Sequence, residues 1–265
     1  MPELPEVETV TRTIAPRVTG RRILMAEFRC LRVLRGGDPD RMAAALAGRR
    51  ILGLERRGKF MLMGIEGGAC LTIHLGMTGK LLFNAVPGKH SHAIFTLDDG
   101  ALLYDDPRQF GCLELSPGAP PRLERLGPEP LEVSFSDFLA RLARRKTRLK
   151  ALLLDQRFLR GLGNIYADEA LFRARLHPLA PASRLGRERA RRLYDAIRRV
   201  LRQAIAAGGS SISDYVDGDG RRGFFQFHHR VYQRTGEPCA RCGARIRRIL
   251  VAQRSTHYCP RCQRT

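Results

Sequence analysis

Apolar positions Val7, Val10, Ile14 and Val18 recur at close to helical spacing, which predicts an opening helix that Pro16 bends or ends. The period then changes. Strand-like runs at 21–28, 51–65, 69–75, 93–97, 101–104 and 112–115 are separated by Gly-Gly, Asp-Asp-Gly and Pro-Gly turns, the pattern of an antiparallel sandwich or barrel. A short helix is expected at 41–47, between strands. Prolines and glycines concentrate at 116–130, and beyond them the helical period returns at 135–145, 147–154, 164–172 and 187–207. In the last of these, Ala190, Leu193, Tyr194, Ile197, Val200, Leu201, Ala204 and Ile205 form one apolar stripe, and Arg191, Arg192, Arg198, Arg199 and Arg202 lie off it as a solvated face. Gly208-Gly209 ends that helix, and a polar, glycine-rich loop at 210–223 is long enough to be mobile or functional. The chain divides into 1–116, a linker at 117–134, a helical domain at 135–230 that includes this loop, and a cysteine-rich module at 231–265.

Charge adds a partner to this outline. Against 26 acidic residues stand 47 Lys and Arg, a formal charge of +21, far beyond what solubility needs and most simply explained by a polyanion. No apolar run approaches membrane-spanning length and no signal segment opens the chain, so a soluble, intracellular protein is expected. Cys30, Cys70 and Cys112 read as reduced core thiols.

Cys239-x-x-Cys242 and Cys259-x-x-Cys262 enclose a strand-like stretch at 246–251, the spacing of a four-thiolate zinc ribbon; two redox dithiols or two disulfides are the alternatives. Four thiolates leave no open position for catalysis, so the metal would shape a hairpin carrying Arg245, Arg247, Arg248 and Arg254. Gly161 to Glu169 is a glycine turn entering a helix, either a plain helix connection or an anion site in which Asn164 caps or binds phosphate. His74-Leu75-Gly76-Met77 and Asp106-Pro107-Arg108-Gln109-Phe110 place Met77, Arg108 and Phe110 in turns after strands, as buried anchors or as wedges that unstack a duplex. Lys59 falls within a predicted strand, where a lysine is usually solvated. Pro2-Glu3-Leu4-Pro5-Glu6 is either an ordinary capped helix start or, with Met1 removed, a secondary amine beside a carboxylate.

These motifs, with Lys89-His90 and Gln253-Arg254, resemble in their order the formamidopyrimidine-DNA glycosylase family, relatives of endonuclease VIII that excise oxidised bases. The resemblance covers almost the whole chain and favours the formamidopyrimidine branch, through Met77 and Lys89-His90-x-His92. It implies an α+β protein: an N-terminal antiparallel β-sandwich with an N-terminal helix, a helical domain with a helix-two-turn-helix, and a zinc-ribbon β-hairpin holding one structural Zn2+. It implies a base excision repair glycosylase and AP lyase, removing 8-oxoguanine and formamidopyrimidines from damaged double-stranded DNA, acting as a monomer in the bacterial cytosol.

By the same resemblance Pro2 is the nucleophile, Glu3 the proton shuttle supported by Glu6, Lys59 the proton donor of β-elimination and Arg254 that of δ-elimination. An α-amine titrates at about 7.7–8.0 against about 10.4 for lysine, so the terminus is the better amine at neutral pH. Met77, Arg108 and Phe110 would fill the vacated stack, His90, Arg145, Lys150 and Asn164 would hold phosphates, and Ile212, Ser213, Asp214 and Tyr215 would close over the flipped base. Two departures stand out: Gln109, where many members have a second arginine, and Asp214, a carboxylate in the base-binding loop. An endonuclease VIII-type enzyme for oxidised pyrimidines and a non-catalytic zinc-ribbon DNA-binding protein are the rival functions.

Overall fold

A computed structural model describes residues 2–264, which form two compact units: the chain up to Arg125 together with Ala207–Gln226, and Leu126–Ala206 together with Phe227 onward. The first unit opens on α1 (Leu4–Val18), which carries Pro16 in its last turn without breaking. Pro16 lies on the exposed side, so the carbonyl deprived of its donor faces water. Val7, Val10, Ile14 and Val18, spaced as one stripe, are fully buried.

Two four-stranded antiparallel sheets share the core with that stripe. One runs β1 (Ile23–Phe28), β6 (Ser91–Leu97), β7 (Ala101–Asp105), β5 (Lys80–Phe83); the other runs β2 (Ile51–Arg57), β3 (Phe60–Ile65), β4 (Ala69–His74), β8 (Cys112–Pro117). The helix α2 (Pro39–Leu46) starts on the Asp38 side chain, which accepts from the Arg41 amide. One local expectation is corrected, and one strand lies outside those expected. The run at 51–65 is a hairpin: Gly58, at φ +64, opens a two-residue turn between the paired Arg57 and Phe60, and Lys59 therefore sits in a turn. Strand β5 has four residues, too short for alternation to show in sequence.

The loop after residue 206, read from sequence as part of the helical domain, groups with the first unit. The Gly218 carbonyl accepts from the Phe83 amide at 3.0 Å, Asp219 pairs with Arg17 at 2.7 Å, and Tyr215 packs on the sheet core.

The second unit holds α3 (Phe135–Ala143), α4 (Leu149–Leu154), α5 (Asn164–Ala174) and α6 (Arg187–Ala206), and ends in the antiparallel hairpin of β9 (Arg247–Val251) and β10 (Arg254–Tyr258). The α6 stripe is buried at Ala190, Leu193, Ile197, Val200, Leu201 and Ala204, and its arginines Arg191, Arg192, Arg199 and Arg202 remain exposed.

Candidate active site and metal centre

In the first unit the chain start is fixed by one carboxylate. Glu3 has extended backbone ahead of α1, and Pro2, Glu3 and Glu6 are all buried. Glu6 Oε2 accepts from the Glu3 amide at 2.9 Å, and Glu6 Oε1 accepts from the Ser210 amide at 2.7 Å. The Tyr215 hydroxyl donates to the Glu6 and Gly208 carbonyls at 3.2 and 3.1 Å, and burial, with Glu6 nearby, pushes its phenol far above the ordinary value. Gly209, at φ +83, lies where a Cβ would sit 3.0 Å from Glu6 Oε1 and from the Tyr215 ring, so a side chain here would be strained in its backbone and crowded against both. The predicted lesion loop is thus half anchored: Tyr215 turns inward, and Ile212, Ser213 and Asp214 stay exposed.

Lys59 is only 8% exposed, not solvated. Its turn is braced by Arg56, which donates to the Gly58 carbonyl at 3.2 Å and to Glu8 of α1 at 2.7 Å; Glu8 and Arg56 are supports that sequence patterning did not single out. Burial first, and then the charges of Lys59, Arg35 and Arg122, lower His74 to about 4. The imidazole is therefore neutral near pH 7, and its Nδ1 accepts from the Gly76 amide at 3.2 Å.

The two wedge loops are built on Asp106, which is fully buried. Its Oδ1 accepts from Thr78 at 2.5 Å, its Oδ2 from the Gly111 amide at 2.8 Å and from Tyr104 at 3.4 Å, and its carbonyl contacts His92 Nε2 at 2.9 Å. Gly76 lies against the second loop, where a Cβ would come 2.3 Å from the Gly111 nitrogen. On this rigid base Met77 is 42% and Phe110 58% exposed, and the Arg108 guanidinium lies over the Phe110 ring, 4.7 Å from its centre. These side chains project from the loops and do not anchor them. Gln109 takes φ +55 in the same turn. His90 is half-buried and its carbonyl accepts from the Asp106 amide.

In the second unit the structure corrects one assignment. Lys150 is fully buried, with Nζ 2.6 Å from Asp168 Oδ1 and 2.9 Å from the Asn164 carbonyl, so it does not present its ammonium to a phosphate in solvent. Asp168 Oδ2 accepts from the His257 amide at 2.8 Å, so the pair locks α4, α5 and β10 together. Asn164 is the first residue of α5 and Gly163 its cap; Asn164 Nδ2 donates to the Ser255 carbonyl at 2.8 Å, tying the helix start to the hairpin. Arg145 follows α3, half-buried, beside a cavity of about 940 Å³ that Arg141, Arg144 and Arg160 also line.

Cys239, Cys242, Cys259 and Cys262 bring their sulfurs within 4.8 Å of one another. The Cys239–Cys262 and Cys242–Cys259 separations are 3.9 and 3.4 Å, close to the roughly 3.8 Å edge of a tetrahedron with zinc–sulfur bonds of about 2.3 Å. The Arg241 and Cys262 amides each point at a cysteine sulfur at 3.4 Å, as ligating thiolates require. The module holds one structural zinc. Its hairpin turns through Ala252 and Gln253, both at positive φ without being glycine, which exposes Arg254 at the start of β10.

Three family models match in succession: the formamidopyrimidine-DNA glycosylase N-terminal domain at residues 1–113, its H2TH domain at 126–216, and a zinc finger found in FPG and IleRS at 236–265. Formamidopyrimidine-DNA glycosylase of Solibacter usitatus is 67% identical over 264 residues, covering 100% of both chains. The crystal structure of the MutM (Fpg) protein of Thermus thermophilus superposes with a TM-score of 0.89 at 48% identity, covering 99% of this chain and 98% of that one. A variant of Lactococcus lactis Fpg in complex with DNA containing Fapy-dG superposes at 0.92 with 38% identity, covering 100% of both chains. Sharing its three domains, its zinc module and its full length with these proteins, the chain belongs to the formamidopyrimidine-DNA glycosylase family.

Proposed function

We propose that this protein is a bifunctional base excision repair enzyme, a DNA glycosylase and AP lyase for oxidised purines in duplex DNA. The observation that carries the site assignment is Glu6, whose one carboxylate fixes the backbone of Glu3 and of Ser210, so that one buried group organises both the chain start and the loop expected to cover the base. The charge of +21 and the exposed Met77, Arg108 and Phe110 on their Asp106-braced loops supply the means of gripping and unstacking a duplex.

Once Met1 is removed, the Pro2 nitrogen attacks the deoxyribose C1′ and the bond to the base breaks. Glu3 protonates the ring oxygen, the sugar opens, and Pro2 and C1′ form an iminium. Loss of a C2′ proton expels the 3′ phosphate, a second elimination expels the 5′ phosphate, and water releases Pro2, leaving a one-nucleotide gap. Lys59 and Arg254 are assigned as the donors in these two eliminations. Met77, Arg108 and Phe110 occupy the vacated stack. His90, Arg145 and the helix start at Asn164 take backbone phosphates, and the exposed Ile212, Ser213 and Asp214 amides read the lesion. Cys30, Cys70 and Cys112 stand as single thiols, which fits a reducing cytosol.

Borohydride trapping on duplexes carrying 8-oxoguanine opposite cytosine or thymine glycol, with mass spectrometry of the mature terminus, tests this assignment. Trapping should require a Pro2 terminus and favour 8-oxoguanine. Glu3→Gln should cut base excision by about 10²–10⁴-fold. Adduct formation by protein retaining Met1 would move the nucleophile elsewhere, and preference for thymine glycol would favour the endonuclease VIII-type reading.

A further inference from the structure

The second unit contains a cavity of about 520 Å³ into which Arg173, Arg199, Arg230 and Arg241 converge, with Gln203 on its wall and Phe172 beneath. They come from four places in the chain: Arg173 and Phe172 from the end of α5, Arg199 and Gln203 from α6, Arg230 from the segment before the zinc module, and Arg241 from between Cys239 and Cys242. Arg241 is held against Phe172, its guanidinium 4.6 Å from the centre of the ring and Nη1 donating to the Phe172 carbonyl at 3.4 Å. Arg173 is aligned by an Nη1 bond to Gln203 Oε1 at 2.5 Å, and its Nε is buried without a hydrogen-bond partner among the described residues.

The carboxylate nearest this group in its electrostatics is Glu169, whose Oε1 is committed to the amides of Arg230, Val231 and Tyr232 at 2.8, 2.9 and 3.0 Å. Glu169 Oε2 is likewise buried without a hydrogen-bond partner among the described residues, and the guanidinium whose charge it opposes is that of Arg173, so the other three arginines of the cavity gain no counter-charge from it. Burial lowers the Arg173 guanidinium from its ordinary value; Glu169 opposes this, and Arg230, Arg199 and Arg241 add to it. Gathering like charge in this way is destabilising unless an anion completes it. Guanidinium forks joined by an amide side chain are donors matched to phosphate oxygens.

We propose that this cavity is a second phosphate-binding site, taking a diphosphate or two neighbouring phosphates through Arg173, Arg199, Arg230 and Arg241. It is distinct from the phosphate grip assigned to the start of α5, because Arg173 lies nine positions along the helix from Asn164, roughly 13 Å along the axis. The phosphates come from a free diphosphate or from duplex backbone lying beyond the lesion contacts.

The test is calorimetric titration of the zinc-loaded protein with inorganic pyrophosphate at constant ionic strength, alongside affinities for a lesion duplex just long enough to be cut and for one several turns longer. Arg199→Gln/Arg230→Gln removes two exposed lining arginines, and Arg184→Gln/Arg202→Gln removes equal charge elsewhere in the same unit. Saturable pyrophosphate binding tighter than about 1 mM, weakened at least tenfold by the first pair and unaltered by the second, supports a free diphosphate. Loss of affinity for the long duplex alone, specific to the first pair, supports backbone phosphates in the same cavity. If both pairs behave alike, or neither ligand responds, the proposal is overturned. Cleavage of the short duplex by Arg199→Gln/Arg230→Gln should stay within twofold of wild type.

Discussion

Lys150→Ala separates a phosphate contact from a structural ion pair. With both side chains at 0% exposure and 2.6 Å between Nζ and Asp168 Oδ1, truncation removes the counter-charge of a carboxylate that has no access to water. Removing one partner of such a pair costs about 3–5 kcal/mol, most of it from leaving the other charge buried and uncompensated. In a unit of this size that lowers the melting temperature by on the order of 10 °C or more. The loss should spread to the hairpin, because Asp168 also accepts from the His257 amide and the Lys150 ammonium also holds the Asn164 carbonyl. Lys150→Met/Asp168→Asn, which removes both charges, should recover much of the stability. Urea unfolding of the three proteins gives the energies, and duplex affinity against salt, measured where Lys150→Ala is folded, gives the slope. The slope should match wild type. A Lys150→Ala protein with stability within about 1 kcal/mol of wild type and a salt slope lower by about one would refute the structural role and restore the phosphate contact.

Cys242→Ser should lose zinc, the hairpin and duplex affinity together, since metal binding organises the module; metal analysis and binding on the same sample check this, and full affinity without zinc would contradict it. Tyr215→Phe removes the hydroxyl that donates to the Glu6 and Gly208 carbonyls, costing about 1 kcal/mol, and should speed hydrogen exchange at the Ser210 amide; unchanged exchange would place the anchor elsewhere. His74 is held at about 4 in the fold against 6.5 as its ordinary value, so between those pH values the unfolded chain binds a proton that the fold excludes. Its contribution, on the order of 3 kcal/mol, is full above about pH 6.5 and is lost as pH falls toward about 4. His74→Gln should flatten that part of the stability–pH curve, and an unchanged curve would assign the acid sensitivity to other groups.

Elements whose signal is local were legible in the chain alone. A fully apolar stripe on α1 and another on α6, strands bounded by glycine turns, and two Cys-x-x-Cys pairs at ribbon spacing each declare a period or a ligand set within a few turns of chain. The family motifs were legible for the same reason, being short and ordered along nearly the whole length. What lies across from each residue was settled by folding. Lys59 and Lys150 look alike as lysines that follow other basic residues and precede an apolar run, yet one is buried in a turn braced by Arg56 and Glu8, and the other is neutralised by a carboxylate eighteen positions away. Patterning alone assigns the loop after α6 to the helical segment that precedes it, whereas Glu6, Phe83 and Arg17, about 130–200 positions earlier, hold it against the sheets. Four arginines from four segments become one cavity by the same means. Periodicity reports which face of an element is buried; the partner of a charge, and so whether it binds a ligand or the protein itself, is set by contacts between segments whose separation in sequence carries no such signal.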